Sequence, residues 1–325
     1  MLSYIIRRLL YAVPILAGVM FITFVIFFVV QPPRARARVV LGEKANEQQI
    51  AHWLHDKGYD KDRFINTSNK DRPFYDSLFL SQMSKLVSFN FGLSDKTNRP
   101  IGKTFAEGAV PSLCLTVPAF VIGFIMAITL SLYQVFVRYS AVDRFGVLLC
   151  VALMSLPSMV YMFIGQSVFA MHFNYFPAFG FQLAGLSTFK FIALPALLMV
   201  IMYLGYDVRI YRTVFLEEIT QDYVRTALAK GVPEFRLLFV HVLKNGMISL
   251  ITLVVAHLPF LIMGSLLVEN FFGIPGLGNA LVQAIHDGDA AMVNAFVYLG
   301  ALLFLAGLLL TDILYAVADP RIRLS

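Results

Sequence analysis

Six long apolar runs decide what this chain can fold into. They fall at roughly 9–30, 112–137, 145–171, 190–211, 248–270 and 293–317. A run of about 20 mostly apolar residues, coiled as an α-helix, matches the hydrocarbon thickness of a bilayer. Inside lipid every backbone N–H and C=O must find a partner within the protein, and a helix supplies all of them within one segment. The expected fold is an all-α membrane protein with six transmembrane helices. A long outer insert separates the first two, and a polar helix-turn-helix loop separates the fourth and fifth. Composition agrees, with 58% of residues hydrophobic and 14% charged, where soluble domains are about a quarter charged.

Basic residues orient the runs, because short cytoplasmic loops carry an excess of Lys and Arg. Arg7 and Arg8 precede the first run, and Arg138 and Arg144 flank the short loop after the second. Arg212, Arg225, Lys230, Arg236 and Lys244 fill the loop after the fourth, and Arg321 and Arg323 follow the sixth. The loops 172–189 and 271–292 contain no Lys or Arg. Both termini are therefore expected in the cytoplasm. The long loop 31–111 lies outside, since loops of that length translocate largely regardless of charge. This divides the chain into a cytoplasmic terminus and first helix (1–30), an outer insert (31–111) and a core permease-like domain (112–325) with a cytoplasmic loop at 212–247. The net charge of +6 is accounted for by helix ends and does not call for nucleic acid. The first run is too long for a signal-peptide core and is expected to stay in the membrane. Cys114 and Cys150 both lie inside apolar runs, which makes them buried thiols and not a disulfide framework.

The outer insert reads as two short helices. Asn46-Glu47-Gln48-Gln49 has the form of a capping box ahead of Ile50, Trp53 and Leu54, with Gly58 as the stop. A turn is expected over Asn66–Asn69. A second helix is expected from Asp71, with Pro73 in its first turn and Phe74, Leu78 and Leu86 on its apolar side. Pro14, Pro118, Pro157, Pro195 and Pro259 fall in or near spans, where kinks are tolerated.

Catalytic signatures were sought and are missing. Gly102-Lys103-Thr104 has the end of a P-loop, but the first glycine of that motif would stand at Thr97. Neither H-E-x-x-H nor G-x-S-x-G occurs, and His52 and His55 lack a carboxylate or Cys cluster to complete a metal site. The chain is not expected to be an enzyme. Ionisable residues within spans are functional candidates, since burying them in lipid is costly. Asp207 and Arg209 read as a structural anchor near one end of the fourth helix. Glu269 and Asp312 could line a pathway or pair at helix ends, and Pro157 could act as a hinge. His257 stands at mid-span.

Between the fourth and fifth runs lies QDYVRTALAKGVPEFRLLFVHVLK, residues 221–244. Gly231 suits the position just past a helix and Pro233 the start of the next one, giving helix, tight turn, helix. The small residues Thr226, Ala227 and Ala229 beside the turn would let a partner approach closely. The stretch resembles the cytoplasmic "EAA" loop of ABC-transporter permeases in the dipeptide, oligopeptide and nickel importer family. There the run is D-Y-V-R-T-A-R-A-K-G, and Asp222–Gly231 differ from it only at Leu228. Further matches carry the likeness along the chain. They include Tyr4–Leu9, Phe91-Gly92-Leu93-Ser94, Ser155-Leu156-Pro157, Val268–Gly278 as V-E-x-x-F-x-x-P-G-L-G, Asp312–Tyr315, and Asp319-Pro320-Arg321-Ile322-Arg323.

The resemblance implies one permease subunit of an ATP-driven importer in a bacterial inner membrane. Asp222, Arg225, Thr226, Ala227, Ala229, Lys230, Gly231, Pro233 and Glu234 would then form the coupling loop that inserts into a separate ATPase. It further implies a second similar permease, two ABC ATPases holding ATP-Mg, and an extracytoplasmic substrate-binding protein, with no cofactor on this chain. Cargo in the family ranges over dipeptides, oligopeptides, opine-like compounds and nickel, and peptide is the expected class. The competing reading is a self-sufficient secondary transporter or channel, which leaves the docking hairpin and the scarcity of mid-span acids unexplained.

Overall fold

The computed structural model describes residues 2–42, 44–66, 73 and 75–318. The start of the expected second insert helix at Asp71, most of the Asn66–Asn69 turn and the closing 319–323 motif lie outside that range. Helices follow one another in this order. α1 (Leu2–Phe24) runs on into a π-helical turn, Val25–Val30, and is followed by α2 (Pro33–Leu41), α3 (Glu47–Lys57) and α4 (Leu78–Val87). Then come α5 (Ile101–Phe136), α6 (Ala141–Ser155), α7 (Ser158–Gly165, prolonged by a π-helical turn to His172) and α8 (Leu186–Glu218). α9 (Asp222–Ala229) and α10 (Glu234–Arg236) lead through a π-helical turn, Leu237–Val242, into α11 (Leu243–Met263). α12 (Leu266–Phe272), α13 (Leu277–His286) and α14 (Ala290–Ala318) complete the chain.

Among the described residues five stretches are long and apolar enough to cross a bilayer: Ile6–Val30, Ile101–Phe136, Ser187–Glu218, Ser249–Phe272 and Ala290–Thr311. α6 and α7 reach that length only as a pair, bent by 93° at the break between them, the geometry of a broken sixth span or of a re-entrant loop. The sequence gives one run at 145–171, and the structure breaks it at Pro157. Leu156 takes φ −90° and ψ 130°, the extended conformation that a following proline ring imposes. Pro14, Pro118, Pro195 and Pro259 lie inside unbroken helices.

The described residues form two compact units, one of those up to Gly108 with Leu277–Ala306, the other of Ala109–Gly276 with residues 307–318. In the first, α3 begins at the expected capping box. Asn46 Oδ1 accepts the Gln49 N–H at 2.8 Å and Gln49 Oε1 accepts the Asn46 N–H at 3.0 Å. Gly58, at φ +68°, ends it. α4 starts later than the sequence suggests, at Leu78, because Ser77 Oγ caps it by accepting the Leu80 N–H. Phe24, Phe28, Trp53, Tyr59 and Leu78 form the core of this unit. Arg36 is 5% exposed within it, its guanidinium 4.5 Å from the Phe28 ring centre and 5.1 Å from that of Tyr59.

The second unit has two apolar clusters. One gathers Leu115, Met162, Leu194, Leu198 and Phe272, and the other Leu132, Val135, Tyr211, Phe215, Val224 and Leu237. α6 and α8 pack so closely that a Cβ on Gly205 would stand 2.7 Å from the Cys150 carbonyl oxygen. Small residues permit such approaches between membrane helices. At one end of this pair Arg212 donates twice to Asp143, at 3.2 and 2.9 Å.

Candidate functional site

The hairpin 221–242 is built as its residues dictate. Gln221 enters in extended conformation and α9 follows. The helix closes with Gly231 at φ +76°, a left-handed conformation that costs glycine little. Its N–H bonds the Leu228 carbonyl at 2.9 Å, and the Val232 N–H bonds that of Ala227 at 3.2 Å. Pro233 caps α10 in extended conformation, one position before its first turn. One face of α9 is held down: Val224 is buried, and Tyr223, Ala227 and Val232 pack against the cluster of Leu237, Leu238 and Val242. Tyr223 donates to Glu218 Oε2 at 2.8 Å. Burial, supported by Glu218, pushes its hydroxyl up to about 12.

The other face is open. Asp222, Arg225, Thr226, Ala229, Lys230, Gly231, Pro233 and Glu234 are all exposed, and Ala227 is half-buried beneath them. A Cβ on Gly231 would meet nothing within 4 Å. Arg225 stands 3.6 Å from Asp222 on the surface, a pair too solvated to fix anything. Glu234 is engaged by Arg138 at 3.2 Å. Two large apolar residues are exposed here as well, Leu228 at 51%, where the family run has Arg, and Phe235 at 64%, which was not singled out from the sequence. The Phe235 ring lies 4.5 Å from that of Phe239. The hairpin thus exposes two large apolar side chains together with separate charges.

A second feature lies within the same unit. α5, α8, α11, the start of α7 and the segment 264–268 line a partly open cavity of about 440 Å³. Asp207, Tyr203, Tyr211, His257 and Ser158 bring polar groups to its wall, and Phe120, Phe124 and Met199 are among its apolar residues. The neighbour expected to pair with Asp207 is not found among the described residues. Arg209 is exposed, residues two apart on a helix face different ways, and Arg212 is taken by Asp143. Pro157 is exposed at the break between α6 and α7, directly before the cavity-lining Ser158.

Glu269 is fully buried. Its Oε1 accepts Ser112 Oγ–H at 2.8 Å and the Ser265 N–H at 3.1 Å. Gly264 and Gly276 stand against it so tightly that a Cβ on either would overlap the carboxylate. It is not in the cavity wall, although Val268 beside it is. Asp312 belongs to α14, and its side chain lies outside the described residues. His52, expected to be solvated, is exposed with Nδ1 2.8 Å from Asp56. Among the described residues no three His, Cys, Asp or Glu side chains converge to hold a metal.

Sequence reading also missed a buried polar cluster in the first unit. Asp95 accepts from Arg36 Nη1 at 3.3 Å, Tyr59 Oη at 3.0 Å and the Ala291 N–H at 3.3 Å. Asp289 accepts from Ser94 Oγ, from the Asp95 N–H at 3.1 Å and from the Met292 N–H at 3.0 Å. The Phe91–Ser94 motif was the one signal pointing there.

Comparison with known proteins covers nearly the whole chain. Residues 1–105 match the N-terminal component, and residues 119–324 the main family, of binding-protein-dependent transport system inner membrane components. A glutathione transport system permease protein of Escherichia coli (strain K12) is 30% identical over 323 residues, covering 99% of both chains. A Brucella abortus (strain 2308) protein provisionally named a peptide transport system permease is 28% identical over 326 residues, again covering 99% of both. The chain belongs to the family of binding-protein-dependent transport system inner membrane components, the permease subunits of ABC importers.

Proposed function

We propose that this permease carries peptides inward, and that the 221–242 hairpin is where a separate ATPase drives it. The observation that carries the reading is the hairpin's open face. Asp222, Arg225, Thr226, Ala229, Lys230, Gly231, Pro233 and Glu234 are exposed on it, as are the apolar Leu228 and Phe235, with Ala227 half-buried beside them. That surface suits a helix-in-groove contact. Closure of two ATPases around ATP-Mg then moves the permease between inward- and outward-open forms. On this reading the hairpin and both termini are cytoplasmic, and residues 31–111 face outward toward a substrate-binding protein. A second, similar permease completes the pathway. The relatives named for glutathione and peptide transport support a peptide cargo. Pro157, Glu269 and Asp312 are the proposed gating positions: one at a broken span, one buried behind the cavity, one in the last helix.

The test is the complex isolated through a tag on this chain. ATPase subunits should co-purify, and Gly231→Asp should release them and abolish ATP-driven uptake while the permease stays in the membrane. A Cβ at Gly231 meets nothing within 4 Å, but φ +76° strains any side chain there by about 1–2 kcal/mol, so loss of the ATPase reports on the partner contact where the variant permease melts within that margin of wild type. A chain that purifies alone, and moves peptide under an ion gradient without ATP, would establish the secondary carrier instead.

A further inference from the structure

We infer that the cavity of the second unit is a binding site for an ammonium group, with Asp207 as its counter-ion, and that the group it receives is the amino terminus of a peptide in transit. Asp207 lies within the Ser187–Glu218 span and is the one carboxylate on the cavity wall. Among the described residues it makes no hydrogen bond or ion pair. An ionisable side chain held unpaired within a span marks a functional site by default.

The surroundings fit a cation. Tyr203, Asp207 and Tyr211 follow at four-residue spacing, so they share one face of α8, and all three line the cavity. Across it runs a series of rings. His257 stands 6.3 Å from Phe120, Phe120 stacks on Phe124 at 6.0 Å, and Phe124 meets Tyr211 edge to face at 5.9 Å. Aromatic faces carry negative potential, and with a carboxylate they form the usual cage for an organic ammonium. The other titratable groups on the wall are His257 on α11 and the two tyrosines, with none from α5. One carboxylate and one imidazole are too few ligands for a zinc, nickel or calcium ion. A volume of about 440 Å³ falls within the roughly 300–1,000 Å³ of small-ligand pockets, and so has room for a short peptide behind its amino terminus.

This inference rests on the importer reading for its cargo, and the two can fail separately. The experiment uses the complete permease–ATPase complex in nanodiscs without the binding protein, so that no other peptide site contributes. Trialanine, N-acetyl-trialanine and N-acetyl-Ala-Ala-Lys are titrated against wild type, Asp207→Asn and Asp207→Glu. Trialanine should bind wild type and Asp207→Glu, and bind Asp207→Asn roughly tenfold to a hundredfold more weakly. N-acetyl-trialanine should bind wild type as weakly as trialanine binds Asp207→Asn, and lose nothing further in that variant. Equal binding of trialanine and its acetylated form by wild type, no effect of Asp207→Asn, or no binding of any probe overturns the inference. Binding of N-acetyl-Ala-Ala-Lys as tight as that of trialanine assigns the site to side-chain ammonium groups and overturns the amino-terminal assignment. ATP-driven peptide uptake with the binding protein restored is measured in parallel. Uptake that is normal in both wild type and Asp207→Asn leaves the importer standing without this site, whereas absent uptake in wild type removes the importer reading itself.

Discussion

Arg138 Nη1 lies 3.2 Å from Glu234 Oε1, which ties the turn after α5 to the first residue of α10. Both side chains are partly exposed, so the pair adds only about 0.2–1 kcal/mol to stability. Its geometry gives it a mechanical use. α5 carries Phe120 and Phe124 into the cavity wall, and the pair joins the end of that helix to the hairpin. Arg138→Glu, outside the docking face, should therefore leave the recovery and melting of the complex unchanged, while peptide moved per ATP hydrolysed falls about fivefold or more. Arg138→Glu combined with Glu234→Lys should restore it. Unaltered coupling in the single variant would show that the pair plays no part in transmission.

The hairpin was legible in the sequence because its determinants are local. Gly231 and Pro233 set the turn within three residues, and the periodicity of Val224 and Ala227 sets the buried side. The spans were legible for the same reason. What escaped depends on residues far apart. Ser112 and Glu269 are separated by 157 positions and Arg36 and Asp95 by 59, so nothing near Arg36 announces that it is buried. Pro157 looks like the other span prolines, and only packing decides that it breaks its helix while they do not. Asp207 was expected to pair with a neighbour, but helix geometry sends Arg209 elsewhere and Asp143 has already claimed Arg212. The tyrosines four residues before and after Asp207 were the one available signal that it faces a cavity.

Gly205 marks a close approach of α8 to the backbone of α6. Because its obstacle is the Cys150 carbonyl oxygen at 2.7 Å, no rotamer change can relieve a side chain there. Gly205→Leu should cost about 1–3 kcal/mol or more through overpacking and lower the apparent melting temperature of the solubilised complex. Gly231→Ala provides the contrast. Its Cβ meets open space, so the expected loss is only the roughly 1–2 kcal/mol of a left-handed alanine. A Gly205→Leu complex that melts like wild type would mean that α6 and α8 do not pack this closely.

Asp95 should make the first unit sensitive to pH. Burial raises its pKa above 3.8, Arg36 opposes that rise and Asp289 adds to it. With the folded value above the unfolded one, the folded chain holds the proton longer. The resulting stabilisation is complete below about 3.8 and is lost as pH rises through the folded pKa. Protection of the amides in 91–100, each exchange rate being taken relative to the intrinsic rate at the same pH, should therefore be greatest at the acid end of that window and fall as pH rises. Asp95→Asn should flatten the profile. Asp95→Ala removes the partner of a buried guanidinium whose Nε and Nη2 already find no hydrogen bond among the described residues, at a cost of about 3–5 kcal/mol. A pH profile identical in wild type and Asp95→Asn would refute this account.

Glu269 separates an anchoring role from a gating one. Its carboxylate holds Ser112 and the Ser265 N–H, and Gly264 and Gly276 have no room for a Cβ beside it. Gly276→Ala should therefore cost about 1–3 kcal/mol and reduce the yield of assembled complex. Adding Glu269→Ala should make the double variant less damaged than the sum of the two, by about 0.5–3 kcal/mol, because the overlapping carboxylate is gone. Glu269→Gln keeps an acceptor for Ser112 and Ser265, and complex of near-normal yield is expected. If that complex also transports normally, Glu269 acts by fixing the 264–276 segment. If it assembles normally and fails to transport, the charge itself is needed in the transport cycle. Additive losses in the double variant would show instead that Ser112 Oγ, which a Cβ on Gly276 also overlaps, sets the limit there and not Glu269.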